Sequence, residues 1–302
     1  MSAAEPPPRT ASAARAIVGV DGEGHADPAI RAAFKIARRL GLEVELVHAA
    51  EVPHLFWQHL EEADVGAARK ATLERLAASL DGEGLAESGL DQRLVVVPGP
   101  PARALLERAR ELDARLIVLG RHVGHGILDF GDTVRAVLAR ADCPVWVQAG
   151  EPAEPRRILV PIDLSEESLQ ALALARDWAQ AFGASISVLH CFVRPELGFV
   201  LGYPIPFPTS VVDSARDTAE EEFKGALEGF DWRGVAHEES FVEADPGTEI
   251  LERQAEADLI VMGTHGRTGL SGAILGSVAV SVLREARVPV LAIRSATRAW
   301  LT

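Results

Sequence analysis

The sequence has only two cysteines in 302 residues, Cys143 and Cys191, one in each half of the chain. Two such distant cysteines cannot form the disulfide framework of a small secreted domain. The sequence also lacks any apolar run of 18 residues, which argues against a membrane-spanning helix. Residues 1–16 are rich in Ala, Pro and Arg and lack the apolar core of a secretory signal. We therefore expect a cytoplasmic protein with a short disordered leader.

Basic residues are scarce relative to acidic ones. The chain has 30 Lys and Arg against 44 Asp and Glu, a net charge of −14, of which −4 falls in the first 150 residues and −10 in the remainder. Neither half offers the basic surface that binding to a phosphate backbone needs, so we expect no general binding to nucleic acid. The length predicts two domains of about 150 residues each.

Four short apolar segments occur twice in the same order, which indicates an internal duplication. Their offsets drift only from 142 to 145 residues. We place the two domains at residues 14–149 (domain 1) and 156–297 (domain 2), joined by a polar, Pro-rich linker. The matching segments are 16–21 with 158–163, 44–48 with 186–190, 116–120 with 259–263, and 143–147 with 288–292.

Between these segments the hydrophobic residues recur with a helical period. Gly41 and Gly183 fall where such helices should end, and residues 163–168 supply candidate N-cap side chains. The apolar segments are rich in Val, Ile and Leu on both faces, as buried parallel strands are. The alternation predicts an α/β fold with one doubly wound parallel sheet per domain. The predicted helices are 28–40, 69–80, 101–112, 168–182, 212–227 and 247–255.

A glycine-rich motif follows a predicted strand of domain 2. Gly263 and Gly266 flank a two-residue gap, and nine residues then lead to Gly276 and Ser277 at a predicted helix start. Glycines let the backbone approach an anion closely, and the free N–H groups at a helix N-terminus favour negative charge. The motif therefore predicts a phosphate cradle. Alternatively, each glycine serves only a tight turn.

Two other phosphate-binding motifs are excluded. The chain contains no Gly-Lys-Ser/Thr, so it has no Walker loop. The first strand of domain 2 ends in Pro161-Ile-Asp163, where a dinucleotide fingerprint would have its glycines.

These motifs together resemble those of a tandem universal stress protein, with two copies of that domain in one chain. The resemblance covers residues 16–149 and 156–296, and the glycine motif satisfies the G-x2-G-x9-G-S/T pattern of the ATP-binding members. It implies two five-stranded parallel sheets of the adenine nucleotide alpha hydrolase type, paired across a pseudo-two-fold axis. It also implies that domain 2 binds ATP, alone or with Mg²⁺.

The resemblance assigns roles to individual residues of domain 2. Asp163 matches an acid that meets the adenine and ribose region, and the neighbouring Pro161 belongs to the same strand motif. Cys191 and Met262 match positions whose backbone faces the adenine, and Arg267 matches a position that is often basic. The ribose and phosphate positions are matched by Gly263, Gly266, Gly276 and Ser277, followed by Val278. Two alternatives stay open: Asp163 only caps the next helix, and Cys191 is a buried small hydrophobe or, less in keeping with its setting, a redox thiol.

Domain 1 departs from this motif. Val123 stands where the second glycine should be, and the segment from Gly120 to Gly131 is two residues shorter than its counterpart. Asp132 replaces the serine that should follow the last glycine, and a carboxylate there repels phosphate. We expect domain 1 to bind nucleotide poorly or not at all.

Three further features have open interpretations. His122 and His125, with Asp129 nearby, could in principle hold zinc, but their spacing favours a solvated loop without metal. Residues 197–208 show no strand or helix period, and we expect a flap over the adenine, a partner contact, or a loop packed on its own domain. His48 and His190 end equivalent strands in the two domains, which indicates a structural role.

The sequence thus favours an ATP-binding, stress-response regulatory protein that is not an enzyme. A slow ATP hydrolase and a ligand-free scaffold for a protein partner are the alternatives. Intramolecular pairing of the two domains is expected, and a further homodimer stays open.

Overall fold

A computed structural model describes residues 14–50, 62–80, 89–121, 131–200, 203–266 and 275–294. Most of the predicted leader lies outside these residues. Among the described residues, no helix has the length and apolar character needed to cross a bilayer. Cys143 and Cys191 are both free thiols.

Domain 1 alternates strands and helices from its first described residues. Gly41 follows the first helix with a left-handed φ of 67°. It is thus the C-cap that the sequence predicts. The short helix before the third strand was not predicted. The elements are β1 (Arg15–Val20), α1 (Asp27–Leu40), β2 (Glu43–Ala50), α2 (Glu62–Leu80), α3 (Leu90–Arg93), β3 (Leu94–Pro98), α4 (Pro101–Glu111), β4 (Leu116–Gly120), α5 (Asp132–Leu138) and β5 (Val145–Gln148).

Domain 2 repeats the order of the five sheet strands, and a hairpin follows its second strand. Among the described residues of domain 2, no counterpart of α3 precedes the third strand of its sheet. Ser165 is the N-cap of the first helix, where its side chain accepts a hydrogen bond from the N–H of Ser168, and Gly183 ends that helix with a φ of 65°. The elements are β6 (Arg157–Pro161), α6 (Glu166–Phe182), β7 (Ser185–Phe192), β8 (Glu196–Val200), β9 (Tyr203–Pro206), α7 (Thr209–Glu228), β10 (His237–Glu243), α8 (Pro246–Arg253), β11 (Leu259–Gly263), α9 (Ser277–Glu285) and β12 (Val290–Ile293).

The β8–β9 hairpin corrects the prediction that residues 197–208 contain no strand. The two segments pair in antiparallel fashion, with a register irregularity between Glu196 and Gly198. A two-stranded ribbon uses only one hydrogen-bonding edge of each strand, so it tolerates Pro204 and Pro206 on the other edge. The sequence did not reveal this ribbon because its strands, of five and four residues, show no regular hydrophobic alternation.

Each domain forms a doubly wound parallel sheet, as predicted. The strand order is β3-β2-β1-β4-β5 in domain 1 and β10-β7-β6-β11-β12 in domain 2. In both domains the second and third strands of the sheet lie on one side of the first strand, and the fourth and fifth lie on its other side. The strand order therefore reverses at β1 and at β6.

The two sheets join edge to edge into one sheet of ten strands. β5 and β12 pair in antiparallel fashion, with Trp146 opposite Leu291, Val145 opposite Ala292 and Val147 opposite Val290. Pro144 and Pro289 mark equivalent positions, so Trp146 and Leu291 are themselves equivalent residues. The register is therefore symmetric about this pair, which lies on the local pseudo-two-fold axis.

Aromatic side chains fill the core at this joint. Trp146 of β5 stacks on Trp178 of α6 with ring centroids 5.4 Å apart, and Trp178 stacks on Phe182 in turn. All three are at most 2% exposed. One apolar cluster thus extends across both domains on this face of the sheet.

Candidate functional site

A large cavity lies in domain 2 at the carboxyl ends of β6, β7 and β11. Its volume is about 1050 Å³. This is the end of the sheet where the strand order reverses, the general location of ligand sites in such folds. Nine of the ten residues that the sequence nominated line it: Pro161, Asp163, Cys191, Met262, Gly263, Gly266, Gly276, Ser277 and Val278. The tenth, Arg267, lies outside the described residues.

Asp163 connects the end of β6 to both the next helix and the glycine loop. One carboxylate oxygen, Oδ1, accepts hydrogen bonds from the N–H of Ser165 at 3.1 Å and from its hydroxyl at 2.5 Å. The other, Oδ2, faces Gly266 so closely that a Cβ there would lie 2.7 Å from it. Asp163 therefore supports the start of α6 through its N-cap residue Ser165, and it also lines the cavity.

Helix α9 begins at the cavity without a side-chain cap. Its N-cap is Gly276, and its first turn has no acidic residue. The Gly276 N–H donates to the carbonyl of Thr264 at 2.8 Å, which ties the two ends of the glycine loop together. The first N–H groups of a helix have no partner within the helix. Ser277 is exposed at this end and lines the cavity.

Cys191 and His190 occupy the end of β7. Burial, together with the nearby Glu249 and Asp245 carboxylates, raises the pKa of the Cys191 thiol to about 12. The thiol is thus neutral at physiological pH, which disfavours a redox role. His190 is buried and its Nδ1 donates to the Ile162 carbonyl at 2.8 Å.

The same histidine contact exists in domain 1. There the Nδ1 of His48 donates to the Val20 carbonyl at 3.0 Å. Each histidine therefore ties the second strand of its domain to the end of the first strand, which agrees with a structural role for the pair.

Glu167 is a site residue that the sequence analysis considered only as part of a helix cap. Its Oε2 accepts the backbone N–H of His265 at 3.1 Å and lies 3.3 Å from Nδ1 of the same residue. The hydroxyl of Thr264 lies 3.0 Å from that Nδ1. Glu167 thereby holds the first part of the glycine loop against α6. Because Glu167 and His265 are 98 residues apart in the chain, no local sequence pattern could predict their contact.

The equivalent place in domain 1 holds a smaller and more acidic cavity. Its volume is about 550 Å³. Asp132 opens α5 and contacts Arg135, and Asp21 and Glu23 carboxylates lie 3.2 and 3.4 Å from Nδ1 of His25. The remaining predicted features of this loop, Val123 and the candidate zinc ligands His122, His125 and Asp129, lie outside the described residues.

The fold and the site define a class: a pair of doubly wound α/β domains, each with a cavity where its strand order reverses. The universal stress protein family model matches the chain twice, over residues 14–148 and 154–294. The chain therefore belongs to the universal stress protein family and carries two copies of its domain.

Relatives with the same tandem length support this assignment. A universal stress protein of Mycobacterium tuberculosis (strain ATCC 25618 / H37Rv) is 29% identical over 296 residues, with 92% of this chain and 96% of the relative covered. A putative universal stress protein structure from Pseudomonas aeruginosa UCBPP-PA14 has a TM-score of 0.59 at 22% identity, covering 93% of each chain. One from Archaeoglobus fulgidus DSM 4304 has a TM-score of 0.58 at 17% identity, covering 92% of this chain and 98% of that one. These two structures share the fold.

Proposed function

We propose that domain 2 binds an adenine nucleotide, ATP, in the cavity at the end of β6, β7 and β11. The observation that carries this proposal is the start of α9, which opens into the cavity with a glycine N-cap and no acidic side chain. Backbone N–H groups and the helix dipole at such a place attract phosphate. This local attraction has to act against the net negative charge of the domain.

The residues around the cavity suit the parts of a nucleotide. The phosphates would lie against Ser277 and the glycine loop, with Arg267 adding positive charge. The ribose hydroxyls would donate to the Asp163 carboxylate. The adenine would lie between the backbones at Cys191 and Met262, with Pro161 and Val278 completing the wall. A magnesium ion would enter with the triphosphate, because Mg²⁺ is usually held by phosphates, water and one or two carboxylates.

Domain 1 is proposed to bind no nucleotide. A phosphate at the start of α5 would meet the Asp132 carboxylate, and the Asp21 and Glu23 carboxylates line the same cavity. The protein would then hold one nucleotide per chain. We assign it a regulatory role in the cytoplasm, in which bound nucleotide biases the conformation that an as yet unidentified partner protein recognises.

The test is the nucleotide content and affinity of the full-length protein. Mass spectrometry of ligand released by heat from purified protein should detect ATP or a related adenine nucleotide, and calorimetric titration should give one site per chain. Ser277→Asp places a carboxylate at the start of α9 and should abolish both signals. Unchanged binding of one nucleotide per chain in this variant would contradict the assignment of the site to domain 2.

Ser185→Asp is the matched control for that experiment. Ser185 lies at the exposed amino end of β7, opposite to the cavity end, and its counterpart in domain 1 is Glu43. The same chemical change should therefore leave binding unaffected. The hydrolase alternative is tested with the same proteins, since turnover by the wild type should not exceed that of Ser277→Asp. The scaffold alternative predicts no bound ligand in any of them.

A further inference from the structure

Helix α9 connects the candidate nucleotide site to domain 1. Its first residue, Ser277, lines the cavity of domain 2, and its last turn ends at the joint between the domains. The helix has only nine residues. A helix this short is marginal by itself, so contacts at its ends and along its buried face determine where it lies.

Arg121 of domain 1 makes the contact at the end of α9. Its Nη1 donates to the carbonyl of Arg284 at 3.2 Å and to the carbonyl of Ala286. Arg284 lies in the last turn of α9 and Ala286 is the C-cap residue that follows the helix. The Arg284 carbonyl lacks a partner within the helix and carries part of its partial negative charge. The Arg121 side chain is half-buried, and this burial lowers the pKa of its guanidinium. Burial protects the contact from screening by solvent.

Domain 2 makes the corresponding contact with domain 1. Nη1 of Arg294, which directly follows β12, donates to the carbonyl of Ala139 at 2.8 Å, at the end of α5 in domain 1. Ala139 and Arg284 are equivalent residues, 145 positions apart. Arg121 of domain 1 therefore binds the end of α9 in domain 2, and Arg294 of domain 2 binds the end of α5 in domain 1. The two arginines occupy different positions in their domains.

Arg121 also adjoins the cavity of its own domain. It directly follows Gly120, which lines the domain 1 cavity. A Cβ at Gly120 would lie 2.9 Å from the His25 carbonyl, so the end of β4 is packed tightly against the start of α1. Arg121 thus links a tightly packed strand end of domain 1 to the helix that starts at the domain 2 cavity.

We propose that Arg121 is a positioning residue through which domain 1 controls nucleotide binding by domain 2. It holds the end of α9, and thereby fixes the direction in which the N–H groups at the start of α9 face the phosphates. The inference rests on the proposed function, and it assigns to domain 1 the regulation of the site in domain 2.

The experiment compares Arg121→Ala with wild type in the full-length chain. Calorimetric titration with ATP should show an affinity about twofold to fivefold lower, the range that corresponds to loss of one cation at a helix C-terminus. Hydrogen exchange in the absence of nucleotide should be faster by about threefold or more at the amides of α9. Arg121→Lys keeps the charge and should recover part of both effects, and it serves as the test variant if the alanine protein does not fold.

Arg294→Ala is the matched control. It removes the equivalent bond at the joint, but from α5, so ATP affinity and α9 exchange should match those of the wild type. Equal weakening by both variants would show general loosening of the joint and overturn the proposal, as would unchanged α9 exchange in Arg121→Ala. If the wild type binds no ATP, the proposed function fails, whereas faster α9 exchange in Arg121→Ala alone still supports the hold of Arg121 on this helix.

Discussion

Gly263, Gly266 and Gly276 are each pressed against another part of domain 2. A Cβ at Gly263 would lie 3.3 Å from Cβ of Glu167, and one at Gly276 would lie 3.3 Å from the carbonyl of Thr264. None of the three has a positive φ. Their spacing identified the loop in the sequence, but the reason for glycine was only partly predictable. They permit close approach within the protein rather than a tight turn with positive φ.

Gly266→Ala tests this interpretation at the tightest position. The new Cβ would lie 2.7 Å from Oδ2 of Asp163, whose Oδ1 is already bonded to Ser165. Because the carboxylate is held in place, we expect the free energy of unfolding to fall by about 1–3 kcal/mol and ATP binding to be lost. Urea denaturation and calorimetric titration measure the two effects.

Gly225→Ala provides the comparison for that substitution. Gly225 lies in the interior of α7 with open space around its Cα, so alanine should raise stability by about 0.5–1 kcal/mol through its helix propensity. Equal stability of the Gly266→Ala protein and the wild type would show that the loop adjusts freely.

At the scale of elements, hydrophobic period and capping residues placed five of the six predicted helices to within three residues at each end, whereas α2 begins seven residues before the predicted start at residue 69. The helix that the sequence predicted at 168–182 is α6, which starts two residues earlier because Ser165 caps it. The hairpin β8–β9 was missed, since its short strands contain Gly198, Pro204 and Pro206 in place of a regular hydrophobic alternation. The contact of Glu167 with His265 was also missed, because only the folded sheet brings α6 beside the loop after β11.

Glu167→Ala is expected to loosen that loop. The half-buried His265 N–H would lose its acceptor, which costs about 1 kcal/mol, the lower end of the range for an unsatisfied donor. We expect lower stability in urea denaturation and weaker ATP binding in calorimetry, with partial recovery in Glu167→Gln.

The neighbouring Glu166→Ala is the control for this prediction. Glu166 lies in the same first turn of α6 and is itself exposed, and its carboxylate contacts only the half-buried Gln170 among the described residues. Its removal should change neither quantity by more than about 0.5 kcal/mol. An identical result for the two alanine variants would argue against a role for Glu167 in holding the loop.

At the scale of the whole molecule, the duplication predicted two sheets but not the edge by which they join. Repeated markers report which strands are equivalent, and they carry no information about which edge strands meet. The joint combines β5–β12 pairing with a shared apolar cluster. We therefore expect the two domains to unfold together.

Trp178→Ala should break this cooperativity. Truncation of a buried tryptophan costs about 3–5 kcal/mol, and here it removes the ring that stacks on Trp146 across the joint. Scanning calorimetry should show one transition for the wild type and two separated transitions for the variant. Trp232→Ala, which removes a half-buried ring stacked on His237 within domain 2, should leave a single transition. A single, unshifted transition in Trp178→Ala would contradict a shared core.

The pair of residues on the pseudo-two-fold axis also determines which halves can associate. On a true two-fold axis a side chain meets its own copy, whereas here the large ring of Trp146 faces the smaller Leu291. Pairing of two β5 strands from different molecules would crowd two indoles into that space, and pairing of two β12 strands would leave a gap between two leucines. We therefore expect a first domain to pair with a second domain in preference to a copy of itself, because Trp146 and Leu291 differ in size at equivalent positions of the shared strand edge.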